Sequence, residues 1–200
     1  MKKLVTVLSV LMMGAWGHAD ELADMRKEID ALKREVAELR SLVQGDGQPR
    51  AEPVVDRKTG IKAKYEEERK TYSQEQLREI EALYQTANKE WNSPVAKAAL
   101  KDLIARYPKA NRTGCAVQYM GQMSEGDERE LYLKLAIKDF GDCFYGNGVQ
   151  VGAYARFHLA YYYQKLGKEK DAKALFDEIK NDYPDAIDHK GRKLTTLLPK

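Results

Sequence analysis

Residues 153–186 read AYARFHLAYYYQKLGKEKDAKALFDEIKNDYPDA, and this stretch decides the fold. Apolar and aromatic residues recur in it at spacings of three and four, first up to Leu166 and again between Gly167 and Pro184. This spacing places them on one face of each of two helices. Gly167 stands where a helix end and a chain reversal need a left-handed residue, and Pro184 ends the second segment. The stretch therefore predicts a helical hairpin.

Eight residues of this hairpin stand at the signature positions of a known repeat: Leu159, Ala160, Tyr163, Gly167, Ala172, Phe176, Ile179 and Pro184. In these positions the hairpin resembles a tetratricopeptide repeat, a unit of ~34 residues. The resemblance implies that small residues let the two helices approach closely and that aromatic residues fill the space towards neighbouring hairpins. One such unit cannot bury its face alone, so the sequence upstream is expected to supply further units.

A weaker unit lies at the start of the predicted repeat domain. Ser73 and Gln76 form a capping box, which predicts a helix that runs to about Lys89. Ser93 followed by Pro94 predicts the start of a second helix. When this unit is aligned with the last hairpin, Trp91 stands where the glycine of the turn is expected.

The middle unit is the least regular. Its helices are predicted over 113–123 and 127–140, and an inserted loop at 142–152 has no counterpart in the repeat pattern. The tail at 194–198 predicts a short capping helix over the open end of the last hairpin. The fold predicted for 61–200 is therefore all-α, a right-handed stack of about three helical hairpins.

The N-terminus predicts export. Lys2 and Lys3 precede an apolar run that ends at Trp16, and Ala19 offers a cleavage position, so residues 1–19 are interpreted as a signal peptide. A retained anchor is the alternative, but the run is shorter than the ~20 residues that a spanning helix needs. The mature protein is therefore expected to be periplasmic or secreted.

Residues 20–44 predict a coiled-coil segment for oligomerisation. Its seam residues alternate at spacings of three and four: Leu22, Met25, Ile29, Leu32, Val36, Leu39 and Val43. The flanking charges are Glu21, Glu28 and Glu35 on one side and Arg26, Lys33 and Arg40 on the other. They pair favourably only between parallel chains, which predicts a parallel homo-dimer or homo-trimer. A single solvated helix, or a helix packed on its own domain, is the alternative. Residues 45–60, rich in Gly, Pro and charge, are interpreted as a flexible linker.

Composition argues against several functions. The 34 Lys and Arg residues nearly balance the 31 Asp and Glu residues, at a net charge of +3, so no strong charge points to nucleic acid. After removal of the signal peptide only His158 and His189 remain, and neither has a partner at metal-ligand spacing. The sequence contains no phosphate-binding loop and no nucleophile motif. We therefore predict no catalytic residues, no metal, no cofactor and no enzyme activity.

Cys115 and Cys143 are the two cysteines of the chain. They lie near the start of one predicted helix and just past the end of the next, and antiparallel pairing brings those ends together. In an exported protein they are expected to form a disulfide, worth ~3–4 kcal/mol on the loop-entropy model. A reactive or metal-binding thiol pair is the alternative.

Aromatic residues predict a binding groove on the first helix of the last hairpin. The predicted groove residues are Tyr154, Phe157, Tyr161, Gln164, Phe144 and Tyr145, with Asn88 and Gln150 as further polar contacts. Aromatic anchors with neutral polar groups suit an extended peptide. The alternative is that these rings only close the core between hairpins.

A signal peptide, a coiled coil and a repeat domain in this order resemble the periplasmic cell-division coordinators of the Tol-Pal envelope system. The resemblance implies a non-enzymatic envelope scaffold that binds other proteins. The predicted disulfide, the inserted loop and the two weak first units depart from that family's pattern. A periplasmic carrier of peptides or small ligands is the alternative function.

Overall fold

The structure is a computed structural model that describes Arg34 and residues 57–199. The chain divides at residue 40 into two units, and every helix named below belongs to the second. Arg34 is helical and exposed. The predicted signal peptide (1–19) and, apart from Arg34, the predicted coiled coil (20–44) lie outside the described residues.

Residues 57–199 form seven α-helices and one short 3-10 helix. They are α1 (Arg57–Thr71), α2 (Gln74–Lys89), α3 (Pro94–Arg106), α4 (Asn111–Met123), α5 (Gly126–Asp139), α6 (Val151–Lys165), α7 (Glu169–Asp182) and η1 (Leu194–Leu197). The extended pairings within this range are two isolated antiparallel bridges. The predicted all-α class is therefore confirmed. No helix in the described part of the chain is both long and apolar enough to cross a membrane.

Three helical hairpins stack in two layers. The pairs α2 and α3, α4 and α5, and α6 and α7 each pack together, and each second helix also packs on the first helix of the next hairpin. The first helices contact one another in turn, α2 with α4 and α4 with α6. These three helices therefore form one layer, called the inner layer below.

The helix starts predicted for the first hairpin are confirmed. Ser73 Oγ accepts a hydrogen bond from Gln76 N at 3.3 Å, and Gln76 Oε1 accepts one from Ser73 N at 2.9 Å, which completes the capping box of α2. Ser93 Oγ accepts a hydrogen bond from Ala96 N at 3.0 Å, and Pro94 occupies the first turn of α3.

Each hairpin has one left-handed residue at or near its turn. The φ angles are 59° at Asn92, 57° at Gly126 and 70° at Gly167. In the first hairpin Asn92, one residue after Trp91, has the left-handed conformation that Gly167 has in the last. Asn tolerates this conformation better than other residues with a side chain, so the turn forms without glycine.

The last hairpin packs as its sequence predicts. Ala160 and Ala172 are fully buried between its two helices. Tyr163, Phe176 and Ile179 are also buried. The signature residues therefore form the core of this hairpin, and α5 covers α6 on the side of the middle hairpin.

Helix α1 was not predicted, and its first four residues lie in the segment interpreted as a linker. The interpretation of 45–60 as a linker is wrong at its end, since residues 57–60 are helical and Gly60 is buried. Polar contacts hold α1 against the hairpins: Glu68 Oε1 accepts a hydrogen bond from Asn111 N at 3.0 Å, and Lys64 pairs with Asp142. The N-cap of α4 provides no side-chain hydrogen bond, so Glu68 satisfies a free N–H group at the start of that helix.

Candidate protein-binding surface

Seven aromatic rings form a continuous row along the inner layer. In order they are Trp91, Tyr119, Tyr145, His189, Tyr154, Phe157 and Tyr161, and we call them the aromatic row. The centroids of consecutive rings lie 4.6 to 6.1 Å apart. These are distances at which aromatic rings attract each other, so the row ties the three hairpins and the tail together.

The row is open at Trp91, at His189 and along α6, and it is closed at Tyr145. Trp91 is 48% exposed, and Tyr119, Tyr154, Phe157 and Tyr161 are half-buried. Tyr145 is buried between them. Apolar surface is therefore accessible near the turn of the first hairpin and along α6.

Four of the predicted groove residues lie on α6 and are half-buried: Tyr154, Phe157, Tyr161 and Gln164. The ring of Tyr154 meets His189 edge-on at 5.0 Å. The hydroxyl of Tyr161 donates a hydrogen bond to the carbonyl oxygen of Leu197. The tail thus covers part of the surface that the sequence predicted to be an open groove.

The prediction that Phe144 and Tyr145 line the groove is wrong, because both side chains are buried. Asn111 fixes the backbone of Phe144 twice: its Nδ2 donates to Phe144 O and its Oδ1 accepts from Phe144 N, both at 2.7 Å. The Tyr145 hydroxyl donates to Gln118 Oε1. The predicted polar contact Gln150 is also engaged, since its Nε2 donates to Gly141 O at 3.1 Å.

Sequence reasoning missed three members of the row: Trp91, Tyr119 and His189. Trp91 was interpreted only as a residue in place of the turn glycine, and His189 only as a loop residue.

One ion pair lies beside the Tyr84 ring, which contacts the row. Arg112 donates to Glu81 through Nε at 2.8 Å and through Nη2 at 3.2 Å, and its guanidinium lies 4.4 Å from the centre of the Tyr84 ring. Tyr84 in turn stacks on Tyr119 at 5.5 Å. The Arg112–Glu81 pair therefore adds no net charge on the side of the row where Tyr84 stacks on Tyr119.

His158 is kept neutral beneath the row. Burial, together with the positive charge of Arg129 and the neighbouring His189, lowers the pKa of His158 to about 4. Its Nε2 atom is buried and has no hydrogen-bond partner among the described residues. Burial also lowers the pKa of His189. No group of three or more His, Cys, Asp and Glu side chains in the described residues could hold a metal ion.

The two cysteines carry free thiols in this structure, and both are buried. Cys115 Sγ points to the carbonyl oxygen of Phe144 at 3.5 Å, and burial raises the pKa of Cys115 to about 12. Cys143 is among the groups that interact electrostatically with Lys64, and burial raises its pKa well above the usual value. The predicted disulfide is not formed here, and it stays a prediction for the exported protein.

The fold and this surface define a stack of helical hairpins whose inner layer carries a row of aromatic side chains. The tetratricopeptide repeat family model matches residues 154–186, which run from the start of α6 to just beyond α7. Together with the stack of hairpins, this match shows that the last hairpin is a tetratricopeptide repeat. Comparisons with curated proteins and with solved structures gave no significant match. Repeats of this family typically serve as non-enzymatic modules for protein–protein interaction.

Proposed function

We propose that the protein is an exported, non-enzymatic scaffold that binds other envelope proteins through the aromatic row. The observation that carries the proposal is that the row runs along the inner layer of all three hairpins and stays open at Trp91 and along α6. Aromatic rings of this kind anchor a partner at low entropic cost, because they are already held in place by their neighbours.

The chemistry of the row favours an extended, uncharged segment of a partner protein. Rings spaced 4.6 to 6.1 Å apart offer successive apolar faces, and the charges of Arg112 and Glu81 neutralise each other. Exposed amides such as that of Asn88 can bond the main chain of such a segment.

The cellular location and the oligomeric state proposed here rest on the predicted N-terminal segments, which lie outside the described residues. The predicted signal peptide supports export to the periplasm, and the predicted coil supports a parallel homo-dimer or homo-trimer. Because this order of parts resembles the Tol-Pal-associated coordinators, we propose a role in cell division or envelope maintenance.

Site-specific photo-crosslinking in living cells tests the proposal. A photoreactive amino acid replaces Trp91 in the full chain, and the matched control carries it in place of Val95, which is equally open at 56% exposure but lies on α3, outside the row. We expect an envelope protein to be captured at position 91 and not at 95. Identical capture at the two positions contradicts the proposal, and co-purification of small molecules alone favours the carrier function.

Variants then measure the contribution of the row with the captured partner. Trp91→Ala and Phe157→Ala should each weaken binding by ~1–3 kcal/mol, because exposed aromatic anchors dominate such interfaces. The melting temperature should change little for Trp91→Ala, since nearly half of that side chain is in water. Val95→Ala should leave binding unchanged. Unaltered affinity in both row variants would exclude the row as the binding surface.

A further inference from the structure

The loop before α6 recurs after α7, displaced by 43 residues. Four backbone hydrogen bonds have the same pattern in both places. In the loop before α6 they run from Cys143 N to Phe140 O, Tyr145 N to Val149 O, Gly148 N to Tyr145 O and Val151 N to Cys143 O. The matching bonds after α7 run, in the same order, from Ala186 N to Tyr183 O, Asp188 N to Arg192 O, Gly191 N to Asp188 O and Leu194 N to Ala186 O. The bridge between Phe144 and Gln150 likewise matches that between Ile187 and Lys193. The predicted insertion at 142–152 is thus a repeated connection between hairpins.

This repetition gives η1 a defined place in the array. Leu194 corresponds to Val151, the first residue of α6, so η1 occupies the position of the first turn of a further inner-layer helix. Leu194 is fully buried, as Val151 is. The turn stops at Leu197 because Leu198 is extended, with a ψ of 154°, as expected for a residue before a proline. The Tyr161 hydroxyl satisfies the carbonyl of Leu197 at this end.

Beyond η1 the last hairpin has an uncovered strip where such a helix would continue. We define this strip, the slot, by Tyr161, Leu166 and Leu175. Their counterparts 43 residues earlier are Gln118, Met123 and Tyr132, and all three of those are buried in the middle hairpin, on which α6 packs. In the last hairpin Leu166 is 49% exposed, and Tyr161 and Leu175 are half-buried.

We propose that the slot binds one amphipathic helix of a partner protein, which lies beyond η1 as α6 lies on the middle hairpin. The occupant is a helix because the slot continues an interface that the array already forms between helices, and η1 sets its direction. Its chemistry follows from the face of α6 that meets the middle hairpin, where the Tyr163 hydroxyl donates to Glu130 Oε1 at 2.8 Å and where Ala155 and Leu159 are buried at spacings of four on the same face. The partner helix therefore presents a small, a branched aliphatic and an aromatic residue at successive spacings of four, with polar residues on its other faces.

This proposal is independent of the proposed function. The aromatic row binds an extended segment and remains open at Trp91, on the first hairpin, whereas Leu166 and Leu175 lie on the last hairpin and outside the row. The two surfaces share Tyr161, so their tests use residues that belong to only one of them, Trp91 for the row and Leu175 for the slot, and failure of one proposal can be told apart from failure of the other.

A defined helical peptide tests the slot in the full chain. The probe is a fluorescent peptide that carries residues 155–165 of this chain within an Ala- and Lys-rich helical frame. Its matched control has Gln in place of the copies of Ala155, Leu159 and Tyr163. We expect the probe to bind at least tenfold more tightly than the control by fluorescence anisotropy. Leu175→Asp should weaken the probe tenfold or more, and Val95→Asp should leave it unchanged. The proposal is overturned if the probe and the control peptide bind equally tightly, or if Leu175→Asp and Val95→Asp bind the probe equally tightly.

A fusion protein tests the same contact with the helix attached to the chain. Its result does not depend on how tightly a free peptide binds. Replacing 198–200 by the sequence of 155–165 continues η1 in the register of α6. The melting temperature should rise by several degrees relative to the same fusion with the three Gln substitutions, and Leu175→Asp should remove that gain. No difference between the fusions contradicts the proposal. Sedimentation of the unfused chain decides about self-association: a mass lowered by Leu175→Asp would identify a second copy as the occupant and overturn the assignment to a partner protein.

Discussion

The middle and the last hairpin follow the same course but differ in what covers them. Ten of the 13 residues of α4 are buried, against seven of the 15 in α6. Helix α4 contacts five helices, namely α1, α2, α3, α5 and α6. Helix α6 packs chiefly on α5 and α7, with fewer contacts to α4. The family pattern is recognisable in the open hairpin and lost in the enclosed one. Because α4 is enclosed, each of its residues must fit a particular neighbour. A general repeat pattern does not specify these individual contacts.

The departures of the middle hairpin illustrate this. A Cβ atom at Gly114 would lie 2.6 Å from Cys143 Cβ, and one at Gly121 would lie 2.8 Å from Leu133 Cδ2, so glycine is required by close neighbours. Arg129 stands where the family has a small residue, and its Nε donates to Ser124 O at 2.7 Å, which satisfies the end of α4. What looked like degeneracy in the sequence is specific packing.

The largest effect expected from this contrast compares matched positions in the two second helices. Tyr132 is fully buried, and Leu175, its counterpart 43 residues later, is half-buried. Tyr132→Ala should lower the free energy of unfolding by about 3–5 kcal/mol and Leu175→Ala by about 1 kcal/mol, because only the first leaves a closed cavity. Urea unfolding of the two variants measures both values. Equal losses would mean that the last hairpin is as enclosed as the middle one.

Burial also shifts the pKa of two titratable groups at matched positions, Cys115 on α4 and His158 on α6. Both are held neutral, with a pKa of about 12 for Cys115 and about 4 for His158. An unfolded His titrates near ~6.5, so between pH 6.5 and 4 the unfolded chain binds a proton that the folded chain does not. Stability should therefore fall as the pH falls through this range, by roughly 3 kcal/mol from His158 alone.

His158→Gln isolates this contribution. We expect the loss of unfolding free energy between pH 7 and pH 4 to be smaller in the variant than in the unchanged protein by roughly that amount. His189→Gln serves as the comparison, since that ring is more exposed. An identical pH dependence with and without His158 would show that the imidazole accepts a proton in the folded state.

The sequence predicted the parts of the fold that depend on local signals. Ser73, Ser93 and Pro94 define helix starts, and Gly167 defines a turn, because caps and left-handed residues act within a few positions. Helix α1 escaped a firm prediction because its residues are mostly charged and it is held by Glu68 and Lys64, whose partners are 43 and 78 positions away in the chain.

The candidate site was predicted only in part, for a related reason. Tyr154, Phe157 and Tyr161 follow from helical spacing on α6. The burial of Phe144 and Tyr145 depends on Asn111 and Gln118, which the loop meets only after folding. The repeated loop shares few side chains with its copy, chiefly an Asp at 142 and 185 and a Gly at 148 and 191. Its identity lies in backbone hydrogen bonds, which sequence patterns do not display.

The smallest expected effect sharpens the comparison at the two copies of this loop. A Cβ atom at Gly152 would lie 2.7 Å from Gly141 Cα and 2.8 Å from Gly141 O, and these backbone atoms cannot rotate away. The counterpart of Gly152 in the tail is Thr195, which already carries a side chain. Gly152→Ala should therefore destabilise the protein by about 1–3 kcal/mol through overpacking. The better helix propensity of Ala opposes this by at most about 1 kcal/mol, so the clash decides the sign.

Gly146→Ala is the matched control within the same loop. A Cβ atom there meets nothing closer than Arg112 Nη2 at 3.9 Å, so the free energy of unfolding should stay within about 0.5 kcal/mol of its original value. Thr195→Ala should likewise have little effect, because it removes atoms at a half-buried site and creates no clash. Chemical unfolding of the three variants under the same conditions gives the comparison. If Gly152→Ala is as stable as Gly146→Ala, the backbone at Gly141 moves to make room for the added methyl group. In that case the close approach of Gly141 and Gly152, which the copy of the loop in the tail lacks, does not constrain the fold.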